Sequence, residues 1–132
     1  VIEVYTDAAS LGNPGESAVG IFIKESRQHH EVFSYYLGSM SNHEAEFQAV
    51  IKALEICQEK YRGEILSIRS DSKIVVETLE KNYTKNKVFQ PLLATINLQM
   101  EPFAHVFIKW IPEKQNQRAD QLARTALQHH SS

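Results

Sequence analysis

The chain carries a single cysteine, Cys57, in 132 residues. One thiol cannot build an internal disulfide framework, so the core must hold the fold, and a reducing compartment such as the cytoplasm is expected. Cys57 falls on an apolar helical stripe, where a buried small hydrophobe is the better reading than a reactive thiol. No run is long and apolar enough to read as a membrane span, and the opening residues do not read as a signal peptide. Internal repeats, low-complexity runs and linkers are missing, so residues 1–132 are expected to form one domain. A monomer is the expected state. An excess of positive charge is missing too. The 14 Lys and Arg stand against 16 Asp and Glu, for a net charge of −2 with six His neutral. That balance argues against a protein that coats nucleic acid electrostatically. It leaves room for carboxylates gathered around cations, which lower the net charge and reverse the local field.

The chain does have carboxylates in costly positions. Its opening stretch, VIEVYTDAASLGNPG, alternates apolar and polar residues from Val1 to Thr6. That pattern predicts a strand with Ile2 and Val4 facing a core. Asp7 follows where this strand is expected to stop, ahead of the turn signal Gly12-Asn13-Pro14-Gly15. A carboxylate at the end of a buried strand is expensive unless something cationic holds it. Asp7 is therefore either a metal ligand left open by the turn or an Asp that simply begins one.

Ser17 to Glu25 and Glu31 to Leu37 predict two further strands, joined to the first by short loops in an antiparallel meander. Ser41 and Asn42 are good N-caps for a helix over Glu44 to Tyr61. Along it Ala49, Val50, Ala53, Leu54 and Cys57 trace an apolar stripe at spacings of three and four. Glu46 lies in line with that stripe and Glu44 does not, so Glu46 needs a partner. Gly63 ends the helix, and Ile65 to Ser70 predicts a fourth strand. Asp71 sits just past it, either merely the N-cap of a helix over Ser72 to Lys81 or a metal ligand as well, since the two roles are compatible.

Asn82 to Lys87 is a basic polar loop, Leu92 to Glu101 a short helix, His105 to Ile111 a fifth strand, and Pro112 to Gln117 a loop. Asn116 to Leu127 forms the closing helix, with Asp120, Ala123 and Leu127 on one face. The tail Gln128 to Ser132, with His129 and His130, is expected to fray. Strand–helix–strand passages require right-handed parallel crossovers. The expected fold is α/β: a five-stranded mixed sheet, three antiparallel strands then two parallel, with helices on both faces. If strands one and four are parallel neighbours, Asp7 and Asp71 meet beyond their carboxyl ends, where such sheets place their sites. Glu46 and Asp120 then arrive from helices.

Four motifs in this order carry a family resemblance. They are Tyr5-Thr6-Asp7 with Leu11-Gly12-Asn13-Pro14-Gly15, Ser41-Asn42 leading into Ala45-Glu46-Phe47, Ser70-Asp71-Ser72, and Asn116 to Ala123 (NQRADQLA). Together they cover nearly the whole chain, which resembles type 1 ribonuclease H in its compact bacterial and archaeal form. The resemblance implies an RNase H-like fold and a metal-dependent endoribonuclease that cuts the RNA strand of RNA–DNA hybrids, leaving 5′-phosphate and 3′-hydroxyl ends. It implies Asp7, Glu46, Asp71 and Asp120 as catalytic ligands of two Mg²⁺ or Mn²⁺ ions. Hard oxygen donors suit such ions, and two of them can activate water and stabilise the leaving oxygen. It also implies substrate contacts from Asn13, Ser41 and Asn42. Lys73, Lys85, Lys87 and Lys114 are candidate phosphate contacts.

Three features depart from the family pattern. Ala8 stands where the family has Gly, whose backbone freedom Ala lacks. Trp110 stands at the spacing of the catalytic-loop His of larger members, and Glu113 and Lys114, possible accessory residues, follow Pro112 in a shortened loop. The basic handle of some members is reduced to Asn82–Lys87, so hybrid affinity is expected to be lower and salt-sensitive. The alternative reading is a hybrid- or RNA-binding module on the same fold with weak or no catalysis, because a fold alone does not establish a function.

Overall fold

The computed structural model describes residues 1–131. Five strands form one sheet: β1 (Ile2–Ser10), β2 (Gly15–Lys24), β3 (His30–Met40), β4 (Ile65–Ser70) and β5 (His105–Trp110). Four α-helices accompany them: α1 (Asn42–Lys60), α2 (Lys73–Lys81), α3 (Phe89–Met100) and α4 (Gln117–Ser131), with a short 3₁₀ turn at Glu113–Gln115. The sheet order is β3-β2-β1-β4-β5, antiparallel through the first three strands in sequence and parallel from β1 to β4 to β5. This is the mixed sheet that the strand pattern predicts. Among the described residues, no helix is long and apolar enough to cross a membrane.

The main core lies on one face of the sheet. Ile2, Val4, Ile21, Ile23, Leu66 and Ile68 pack there against Phe47, Val50, Leu54 and Cys57 of α1, Val75 and Leu79 of α2, and Leu93 and Ile96 of α3. Burial drives the Cys57 thiol up to about 12, as befits a small core hydrophobe. The helix α4 covers the other face over β1, β2 and β3. Gly20 makes its close approach possible: a Cβ there would stand 2.1 Å from the Ala119 carbonyl oxygen and 2.5 Å from the Ala123 nitrogen. Both atoms are backbone, so no side chain could swing aside.

Several boundaries differ from the sequence expectations, some for tertiary reasons and some through local caps. The first strand does not stop before Asp7. It runs on to Ser10 because β2 keeps pairing with it, through Asp7↔Gly20, Ala8↔Val19, Ala9↔Ala18 and Ser10↔Ser17. Its pairing with β4 does end at Thr6↔Ser70, so Asp7 sits where β1 outruns β4. Asp71 is not the cap of α2. Ser72 takes that role, its hydroxyl accepting from the Val75 N–H at 3.4 Å. Ser41 caps α1, accepting from the Glu44 N–H, and Asn42 is the first helical residue. The third helix starts at Phe89, ahead of the expected Leu92, because Asn86 Oδ1 accepts from the N–H groups of Val88 and Phe89. The closing helix does not fray at Gln128 but continues to Ser131. The His130 ring stacks on Tyr36 of β3 with centroids 3.4 Å apart, and the Tyr36 hydroxyl donates to Glu16. Ser132, the last residue of the expected frayed tail, lies outside the described residues.

Candidate active site

Asp7, Glu46 and Asp71 each bring a carboxylate oxygen within 4.8 Å of the others. Asp7 is placed by the double pairing of β1, with β4 ending beside it and β2 continuing. Asp71 follows the last residue of β4, and the capping by Ser72 leaves its carboxylate to the site. Glu46 lies in the first turns of α1, one turn beyond Asn42.

Crowding and burial set the electrostatics. Burial, then the Asp71 charge, push the Asp7 carboxyl from 3.8 to about 8, and Asp120 adds to the push. Glu46 is raised well above its ordinary value by burial first and then by Asp7 and Asp71. Asp71 is raised by burial, and also by Glu113 and Asp120, while the hydrogen bond from Asn116 works in the opposite direction. The Ala8 N–H lowers the values of both Asp7 and Glu46. Carboxylates this close repel one another as anions, and burial and repulsion together favour their protonated forms.

Asn116 ties the pieces together. Its Nδ2 donates to the Thr6 carbonyl at 2.8 Å and to Asp71 Oδ2 at 3.1 Å, and the residue is only 1% exposed. One side chain thus spans the ends of β1 and β4 from the start of α4. Trp110 adds a second tie, its ring N–H donating to the Asp71 carbonyl at 3.2 Å.

The expected fourth carboxylate is nearby but differently engaged. Asp120 lines a cleft of about 370 Å³ with Asp7, Ala8, Asp71, Glu113, Lys114, Gln117 and Arg124. Its Oδ2 lies 2.6 Å from the Arg124 guanidinium, and it is not part of the close group of three. The 3₁₀ turn brings Glu113 and Lys114 to the cleft.

The other expected contacts are placed as follows. Asn13 Oδ1 accepts from the Asn42 N–H at 3.0 Å, so Asn13, Ser41 and Asn42 form one surface at the start of α1. Lys73 lies off the carboxylate cleft, its ammonium 5.3 Å from the Trp110 ring centroid, in a hollow with Val76, Glu77 and Glu80. Lys85 and Lys87 are exposed on the loop before α3. Ala8 sits in β1 opposite Val19, and Asn82 is the one described non-glycine residue with positive φ. The backbone at Ala8 therefore does not call for glycine.

Four contributors were given no site role by the sequence: Gly20, Asn116, Gln117 and Arg124, of which Asn116 and Gln117 stand only inside the last motif. The spacing of Asp120 and Arg124 on a helix was an available signal. Gly20 offered none beyond its lack of a side chain in an apolar strand.

The donor set fits a divalent cation. All candidate ligands are hard oxygens, three of them converge, and the buried Glu46 Oε2 has no hydrogen-bond partner. Such an orphaned acceptor is costly unless a cation or a donor meets it.

Comparison with known proteins agrees with the architecture. EbsB of Enterococcus faecalis strain V583 is 48% identical over 132 residues, covering 97% of this chain and 95% of that protein. Ribonuclease HI of Halobacterium salinarum strain NRC-1 is 30% identical over 131 residues, covering 96% of this chain and 64% of that protein. The crystal structure of LC11-RNase H1 in complex with an RNA/DNA hybrid matches with a TM-score of 0.92 at 30% identity, covering 100% of both chains. The sequence model of the RNase H family spans residues 1–128, and the chain belongs to the RNase H family.

Proposed function

We propose that this chain is a metal-dependent endoribonuclease that hydrolyses the RNA strand of RNA–DNA hybrids, leaving 5′-phosphate and 3′-hydroxyl ends. The observation that carries the reading is the meeting of Asp7, Glu46 and Asp71 within 4.8 Å. The full-length match to a protein solved with an RNA/DNA hybrid supports the substrate class. Asp7, Glu46, Asp71 and Asp120 would hold two Mg²⁺ or Mn²⁺ ions. Such ions, when bound, supply an activated water and charge stabilisation for the departing 3′ oxygen.

The chain's own residues prepare that chemistry. Asn116 fixes the orientation of Asp71 by holding its Oδ2 and the end of β1 at once. The Ala8 N–H favours the ionised forms of Asp7 and Glu46, the forms that can ligate. Glu113 and Lys114 border the cleft where the scissile phosphate would lie. The joined surface of Asn13, Ser41 and Asn42 presents backbone and small polar groups suited to 2′-hydroxyls and sugars. Lys73, Lys85 and Lys87 would meet phosphates and carry no base information. Recognition then depends on the sugar and not on base sequence.

The test is cleavage of labelled hybrid, duplex DNA, duplex RNA and single strands, each with Mg²⁺ or Mn²⁺. The expected result is cutting of the RNA strand of the hybrid alone, at many sequences. Hybrid binding without cutting under either metal would replace this reading with that of a binding module.

A further inference from the structure

Asp120 is set apart from the other carboxylates by its partner. The close group holds Asp7, Glu46 and Asp71, while Asp120 Oδ2 sits 2.6 Å from an Arg124 guanidinium nitrogen. The two residues are one turn apart on α4, the spacing at which helical side chains meet. Three hollows converge on the pair: the carboxylate cleft, a polar hollow with Gln117, Gln121 and Thr125, and a less polar one with Ala9, Ser10 and Leu11. The Arg124 side chain is 67% exposed and that of Asp120 is 32% exposed. The guanidinium therefore has open space on several sides and can leave the carboxylate without disturbing the core.

We propose that Arg124 is a displaceable counter-ion of Asp120, which neutralises that carboxylate in the metal-free chain and competes with a divalent ion for it. The inference rests on the metal site proposed above and adds a hierarchy within it. Three carboxylates converge on one point, whereas the fourth is paired with a cation of its own chain and must first be released from it. The divalent ion has twice the charge of the guanidinium and wins, but its binding is weakened by the pair it breaks. An exposed ion pair is worth up to about 1 kcal/mol, so the ion that uses Asp120 should bind about two- to fivefold more weakly than it would without Arg124.

The test is calorimetric titration of Mn²⁺ into the full chain without nucleic acid, at low ionic strength. Arg124→Gln should tighten the weaker Mn²⁺ site about two- to fivefold. Arg124→Lys, which keeps a cation, should stay near the wild type. In an Asp120→Asn background, Arg124→Gln should change nothing, since the pair is already absent. High salt should narrow the gap between wild type and Arg124→Gln by screening the exposed pair. Unchanged or weaker Mn²⁺ binding by Arg124→Gln overturns the displacement while leaving the metal site in place. A wild-type chain that binds no Mn²⁺ at all overturns both.

Discussion

Replacing Asp7 with Asn should stabilise the metal-free protein while abolishing its hydrolysis. The Asp7 residue is 5% exposed, and its carboxyl rises from 3.8 to about 8 on folding, through burial first and the Asp71 charge second. A carboxyl with a raised folded pKa binds its proton more tightly in the folded chain than in the unfolded one. Stability is therefore full below about pH 4 and falls as the pH climbs towards 8, the reverse of a salt-bridged Asp. At pH 7 the loss is about 1.4 kcal/mol for each of roughly three pH units, or about 4 kcal/mol as an upper bound. Asp7, Glu46 and Asp71 share that loss, because their protons come off together. Asn keeps the shape and can still accept from the Ala8 N–H, but it never ionises. In EDTA at pH 7, Asp7→Asn should gain about 1–4 kcal/mol, a rise in Tm of roughly 4–15 °C for a domain of this size. Its Tm should also vary less between pH 5 and 8 than that of the wild type. Saturating Mn²⁺ should reverse the order, because an ion that binds only the folded wild type stabilises it by mass action. Circular dichroism melts of both proteins, with and without Mn²⁺, make the comparison. A lower Tm for Asp7→Asn in EDTA at pH 8, or an equal gain from Mn²⁺ in both proteins, would refute the reasoning.

Glu46→Gln should reduce hybrid cleavage on the order of 10²-fold or more, and Glu44→Gln far less, because only Glu46 joins the close carboxylate group. Equal losses in a side-by-side cleavage assay would count against the assignment. Gly20→Ala should destabilise by about 1–3 kcal/mol or more in denaturant unfolding, since the new methyl meets the α4 backbone. A wild-type midpoint would mean that α4 does not rest on Gly20. Ala8→Gly should bring no gain in cleavage rate and cost roughly 0.5–1 kcal/mol, as for glycine in any strand. A faster Gly variant at saturating Mn²⁺ would show that Ala8 does restrain the site.

The layered order of the fold is legible because its signals are local. The alternation in Ile2 to Thr6 and the spacing of Ala49, Val50, Ala53 and Leu54 are set by each element's own period. Two of the errors fall where a distant partner decides. The first strand reaches Ser10 because β2 supplies a ladder that β4 has already ceased to offer. The last helix reaches Ser131 with its end held by Tyr36, a residue of β3 far back in the chain. No window of sequence around Ala8 or Gln128 contains either fact.

The candidate site divides along the same line. Glu46 carries a local signal as a charge on an apolar helix stripe, while Asp7 and Asp71 read equally as a turn residue and a cap until the four motifs are taken together. The raised pKa values of all three express the conflict between charge and burial in the folded chain. Asp120 gives the same local signal on α4, yet its engagement differs, because the guanidinium of Arg124 is within reach and a cation on the same helix face satisfies it first. A pattern that asks only whether a carboxylate is out of place cannot rank the partners that compete for it. Gly20 marks the opposite limit. Between Val19 and Ile21 it reads as a weak link in a strand, and its role lies in the absence of a side chain. That absence lets the first turns of α4 approach β2 opposite Asp7, and so sets where Asn116 and Asp120 stand relative to the carboxylates of β1 and β4.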